Sequence, residues 1–131
     1  TNDNWPVYRY AEVLLSLAEA LNEQGKSSEA FTYLNQVRER AGLEDITSGE
    51  DLQDVIMNER RVELAFENKR WTDLVRTGKA VEVITAYGQR VKADPAAYYY
   101  PAGYAPVPAS FTNIQLTFPL PASEALLSPY F

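Results

Sequence analysis

Two glutamates, Glu59 and Glu63, stand one helical turn apart within residues 59–74, a stretch that mixes carboxylates, arginines and large apolar side chains at helical spacing. Paired carboxylates are the working groups of glycoside hydrolysis, which needs them about 5–10 Å apart across an open cleft. One turn of helix gives roughly that separation. The surroundings argue for another role. At about 100° per residue from Leu52, the apolar stripe is Leu52, Val55, Ile56, Val62 and Phe66, and both acids fall inside it. A buried carboxylate is costly without a cationic or hydrogen-bonding partner. Arg60, Arg61, Arg70 and Arg76 are the local candidates, with Arg38 and Arg40 further away. The expected reading is a structural ion network of Glu59, Arg60, Glu63, Glu67, Arg70, Trp71 and Asp73, with Trp71 and Asp73 serving the scaffold.

Other chemistries are bounded by what is missing. The chain has no histidine and no cysteine, which removes disulfides, thiolate nucleophiles, Ser-His-Asp triads and Cys/His zinc sites within it. No dense carboxylate loop suits calcium, so no metal or other cofactor is expected. The net charge of −6 argues against nucleic acid or an anionic membrane surface as a partner. With 131 residues, 46% hydrophobic and 23% charged, the chain suits one globular domain.

The positioning elements read as helices. Residues 7–24 form an amphipathic helix with Val7, Tyr10, Ala11, Leu14, Leu17, Ala18 and Leu21 on one face, ended by Gly25. Glu12, Glu19 and Glu23 lie opposite and, with Glu29, read as a solvated acidic face or a docking face. Ser27 or Ser28 caps a second helix, which buries Ala30, Leu34, Val37 and Ala41 and stops at Gly42. A third starts near residues 49–50, through a capping box of Thr47 with Glu50 or Ser48 with Asp51, and runs to Glu67. A fourth spans residues 70–77, and helical pattern resumes over 79–87. Seven of the eight prolines then lie at or beyond Pro95, so 89–113 is expected to be an irregular packed segment. Residues 114–118 alternate like a short extended segment, and Ser123 caps a short turn through Leu127. The expected fold is all-α, with about four helices in hairpins over 7–88 and an irregular region over 89–131.

The first helix pair fits the 34-residue tetratricopeptide pattern at Leu14, Ala18, Leu21, Gly25, Ala30, Leu34 and Val37. Small residues let the helices approach, and large ones fill the groove. Two pairs are fewer than a stable stack needs. The chain is therefore expected to dock on something or to be part of something larger. Tyr87, Tyr98, Tyr99, Tyr100 and Tyr104 offer rings either as platforms for sugar C–H faces or as cover for the helical core. Of these, Tyr98, Tyr99, Tyr100 and Tyr104 are the ligand candidates.

In order and spacing, several segments together resemble the C-terminal part of the SusD/RagB family. They are Arg9-Tyr10-Ala11-Glu12-Val13-Leu14-Leu15, Ala18-Glu19-Ala20-Leu21-Asn22-Glu23, Leu34-Asn35-Gln36-Val37-Arg38-Glu39-Arg40-Ala41-Gly42-Leu43, Asn58-Glu59-Arg60-Arg61-Val62-Glu63-Leu64-Ala65-Phe66-Glu67, Arg70-Trp71-Thr72-Asp73-Leu74-Val75-Arg76 and Phe118-Pro119-Leu120-Pro121-Ala122-Ser123-Glu124. The resemblance implies a helical scaffold with tetratricopeptide-like pairs. It implies non-catalytic binding of glycans or other nutrients at the surface of the bacterial outer membrane, through a lipid anchor expected to lie outside this chain. It further implies partnership with a TonB-dependent transporter of the SusC type, with this segment mainly scaffold and partner contact. The alternative is a tetratricopeptide-type module that binds peptides.

Overall fold

The computed structural model describes residues 7–48, 51–98 and 114–127. Six α-helices and a 3₁₀ turn make up the described structure, with no strand among these residues: α1 (Tyr10–Glu23), α2 (Ser27–Arg40), α3 (Leu52–Glu63), α4 (Arg70–Arg76), α5 (Ala80–Ala93), the turn Pro95–Tyr98, and α6 (Ala122–Leu127). The all-α expectation holds. The chain divides into two compact units, Thr1–Asp73 and Leu74–Phe131, with the boundary inside α4.

In the first unit, α1 packs chiefly on α2 and also on α3. Both α1 and α2 end at a glycine in the left-handed region, Gly25 at φ 73° and Gly42 at φ 75°. At the first, the Lys26 N–H donates to the Leu21 carbonyl and the Gly25 N–H to that of Asn22, both at 2.9 Å. At the second, the Leu43 N–H reaches the Arg38 carbonyl and the Gly42 N–H that of Glu39, again at 2.9 Å. This pairing satisfies the orphan carbonyls and reverses the chain, and a side chain beyond Cα disfavours the conformation it needs. The core is Leu14, Leu15, Ala18, Leu21, Ala30, Leu34, Val37 and Ile56, edged by Phe31, Tyr33, Leu52 and Val55. Each fully buried leucine contributes about 1.5–3 kcal/mol. Ala18 and Ala30 have no exposed surface, so the two helices meet closely where their side chains are smallest.

The segment after α2 is tied down by Asn35. Its side-chain amide donates to the Ile46 carbonyl at 2.9 Å and accepts from the Ile46 N–H at 3.0 Å, so a buried side chain acts as a short stretch of pairing backbone. Arg38 Nε adds a bond to the Glu44 carbonyl at 3.0 Å.

Several expected boundaries and faces shift. Helix α1 begins at Tyr10, leaving Val7, Tyr10 and Leu17 exposed, while Leu15 is fully buried. Ser27 is the first residue of α2 and not its cap; its hydroxyl pairs with the Asn22 side chain, and Ala41 is exposed just past the helix end. The cap of α3 is Asp51, whose carboxylate accepts from the Gln53 N–H at 3.0 Å. Helix α3 stops at Glu63, four residues early, because the chain turns left-handed at Phe66 (φ 67°) and Asn68 (φ 58°).

In the second unit, α5 runs through the buried Gly88 to Ala93, six residues past the expected 79–87 and into the segment expected to be irregular. Residues 114–121 have no regular structure, and Ser123 lies inside α6.

Candidate functional site

The ion network is present in the first unit with a different cast from the one its spacing suggested. Glu59, 6% exposed, receives Arg38 Nη1 at 2.8 Å. Glu63 is met by Arg40 and by Arg9 Nη1 at 2.5 Å, and Arg9 also donates to the Glu63 carbonyl. Glu67 takes Arg9 Nε at 2.8 and 3.0 Å. The Glu67 hydrogen bond is the main influence raising the Arg9 pKa above its ordinary value, with Glu63 adding to it against the lowering effect of burial. Arg9 thus joins the entry of α1 to the end of α3. Sequence reasoning missed it because a residue 54 positions from Glu63 leaves no periodic signal.

Arg60 was expected to serve its neighbours on α3. Instead it is buried itself. Its Nε and Nη2 donate to the two carboxylate oxygens of Asp73 at 2.9 and 3.1 Å, and Nη1 donates to Ser16 Oγ at 3.0 Å. One guanidinium therefore fastens α3 to α4 and α1. The face of α3 that is buried carries Ile56, Met57, Glu59 and Arg60, whereas Val62 and Phe66 of the expected stripe are 58% and 98% exposed. A bidentate carboxylate partner allows a guanidinium to be buried where pattern alone favours valine.

Glu12 corrects the expected acidic face in the same way. It is buried, with Oε2 at 3.1 Å from Lys69 Nζ, close enough for charge pairing though outside hydrogen-bond geometry. Lys69 also donates to the Val7 carbonyl at 2.8 Å and sits 5.0 Å from the Tyr8 ring centre. Glu19 accepts from Gln53 Nε2 at 3.1 Å, while Glu23 and Glu29 are exposed.

Arg70 and Trp71 stand apart from the acid pairs. Burial, then the nearby Arg61 charge, lowers the Arg70 pKa below the usual arginine range, against an upward pull from Asp73. Trp71, 37% exposed, lines an open cleft of about 370 Å³ with Arg60, Arg61, Leu64, Ala65, Phe66, Asn68, Lys69 and Arg70. A second cleft of about 390 Å³ is lined by Glu59 with Arg38, Ile46, Asp51, Asp54, Val55 and Asn58. A third, of about 720 Å³, lies along α1 and α2 and is lined by Arg9, Tyr10, Ala11, Leu14, Gln36, Val37, Glu39 and Arg40.

Glu63 lines none of these clefts, so the two acids do not face each other across one of them, as hydrolysis would require. Among the described residues no cluster of acids could hold a metal ion. Of the tyrosines, Tyr98 lies in the 3₁₀ turn with its ring edge-on to Tyr87, centroids 5.5 Å apart at 90°. Tyr99, Tyr100 and Tyr104 lie outside the described residues.

An all-α chain whose helices are cross-tied by this arginine–carboxylate network has close counterparts among bacterial proteins. The SusD family pattern matches residues 1–129, and the chain belongs to that family. It is 38% identical to SusD-like protein P2 of Formosa agariphila over 135 aligned positions, covering 95% of this chain and 24% of that protein. SusD-like protein P38 of the same organism is 46% identical over 89 positions, covering 60% of this chain and 18% of the relative. A solved SusD-like protein from Bacteroides fragilis superposes with a TM-score of 0.58 and 41% identity, over 60% of this chain and 16% of that one. The chain thus spans about a quarter or less of the length of these relatives. Among the described residues no helix is long and apolar enough to cross a membrane.

Proposed function

We propose that this chain is the scaffold and partner-contact portion of a non-catalytic glycan- or nutrient-binding protein at the bacterial cell surface. In this reading the whole protein is a lipid-anchored protein of the outer membrane. It captures its ligand without chemistry and hands it to a TonB-dependent transporter of the SusC type. The observation that carries the reading is the family match along nearly the whole chain. The site supports it, because the acids that could have done hydrolysis are committed to arginines. The glycine-terminated hairpin of α1 and α2 also supports a tetratricopeptide-like stacking role.

Partner contact has a candidate surface. Tyr10, Val13 and Leu17 lie at helical spacing on the exposed side of α1, at 72%, 52% and 39% exposure. An apolar stripe on a surface helix suits packing by another helix. The same stripe favours the second reading, a module that binds peptides or proteins. Calorimetric titration with a panel of oligosaccharides tests the first reading, with heat from at least one member expected. Co-purification with a co-expressed transporter tests the contact, and its survival in Val13→Asp and Leu17→Asp variants overturns the role given to α1.

A further inference from the structure

The turn after α3 carries features that neither helix packing nor the ion network uses. Phe66 holds a left-handed backbone at φ 67°, which a bulky residue rarely adopts, and its ring is 98% exposed. Strain of this kind collects where a side chain is presented for contact. Phe66 and Trp71 border the cleft of about 370 Å³, a volume that accommodates a small ligand.

The cleft is cationic although the chain carries a net charge of −6. Two of its cations are neutralised, Arg60 by Asp73 and Lys69 by Glu12. Two are not. Arg61 donates to the neutral amide oxygen of Asn58, at 3.2 and 2.9 Å. Arg70 is half-buried, and neither it nor Arg61 forms an ion pair among the described residues. Burial first, and then the nearby Arg61 charge, lowers the Arg70 pKa against an opposing pull from Asp73, so Arg70 holds its charge at a cost. An oxyanion placed between like charges relieves both the repulsion and the desolvation.

We propose that this cleft binds the carboxylate of an acidic sugar residue, with Arg61 and Arg70 as its oxyanion clamp and Trp71 and Phe66 flanking the ring. Guanidinium groups match a carboxylate in a planar, two-pronged geometry. Exposed aromatic rings present flat apolar surface to the C–H face of a sugar. The saccharide part of the assignment rests on the glycan reading above; the charge requirement comes from the cleft.

The 131-residue chain is titrated by calorimetry with a short oligogalacturonate, its neutral galactose counterpart and an acidic peptide of equal charge. The oligogalacturonate is expected to bind, to bind more weakly as ionic strength rises, and to lose affinity by about tenfold to a hundredfold in Arg61→Gln and in Arg70→Gln. Arg61 is exposed, so its variant keeps the fold, which circular dichroism checks. Equal binding of the neutral sugar, unchanged by Arg61→Gln, overturns the proposal and leaves the glycan reading standing. Binding of the peptide alone makes the cleft a protein-docking site and overturns it as well. Silence across all three ligands removes the proposal, while the broader oligosaccharide panel separately decides the glycan reading.

Discussion

Asp73→Ala isolates the buried pair on which α1, α3 and α4 converge. The Arg60 and Asp73 side chains are each 5% exposed and joined by two bonds of 2.9 and 3.1 Å. Without the acid, the guanidinium keeps the Ser16 hydroxyl at 3.0 Å and no counter-charge from Asp73. Stranding a buried charge costs about 3–5 kcal/mol. At roughly 3–5 °C per kcal/mol for a chain of this size, Tm falls by about 10–25 °C. Asp73 makes a further interaction besides those to Arg60, so the single variant overstates the pair. A double-mutant cycle of Arg60→Met, Asp73→Leu and their combination, followed by thermal and urea unfolding, separates the two. Arg60→Met alone is also destabilising, because it leaves the carboxylate buried. Arg60→Met with Asp73→Leu removes both charges and restores apolar volume, ending within about 1–2 kcal/mol of the parent. If the two single losses simply add, or if Asp73→Ala costs less than about 1 kcal/mol, the pair behaves as a solvated surface contact and the argument for its burial fails.

Glu63→Ala should cost only about 1–2 kcal/mol in urea melts, because Arg9 keeps Glu67 and the Arg40 side chain is 63% exposed and returns to water. Arg9 titrates above its ordinary value, so its stabilisation is complete below the usual arginine range and is lost only as pH rises through the raised value. The stability gap between the parent and Arg9→Gln should therefore stay constant from about pH 7 to 10, and a gap that closes in this window contradicts the pairing. Asn35→Ala strips the Ile46 N–H and carbonyl of their partner, with an expected loss of about 1–3 kcal/mol and faster amide exchange at Ile46. Asn68→Gly should be neutral or slightly stabilising and Asn68→Val destabilising by about 1–2 kcal/mol, since φ is 58° there; equal melts for both would argue against a left-handed turn.

The helices were legible because their signals are local. Periodic leucines and alanines mark α1 and α2, and glycines at Gly25 and Gly42 mark their ends. The phase of α3 was not legible. Hydropathy assigned the inner face to Val62 and Phe66, but what buries a side chain is the partner it finds, and Asp73 lies 13 residues beyond Arg60. Glu12 was misplaced for the same reason, its counter-ion Lys69 being far along the chain. The helical pattern reads only to residue 87 because the prolines beyond it point to irregular chain; α5 instead continues through the buried Gly88 to Ala93, just short of Pro95. Asn68 carried a usable signal for the early end of α3, as asparagine is among the few residues at ease with a left-handed backbone. The cleft beside Trp71 had no such signal, because it exists only once the turn folds Arg61 and Arg70 onto one surface.

The clasp between Arg9 and Glu67 has a temporal side. Its two ends are separated by 58 residues of chain. A ribosome adding about 5–20 residues per second needs roughly 3–12 s to travel that distance. Within that interval the residues of the first hairpin are themselves synthesised, with the Glu12 carboxylate unmatched and Arg9 without Glu67. The opening helices must therefore tolerate a spell of incomplete assembly in the cell, and the acids and cations at residues 63–69 act as the late-arriving latch that ends it.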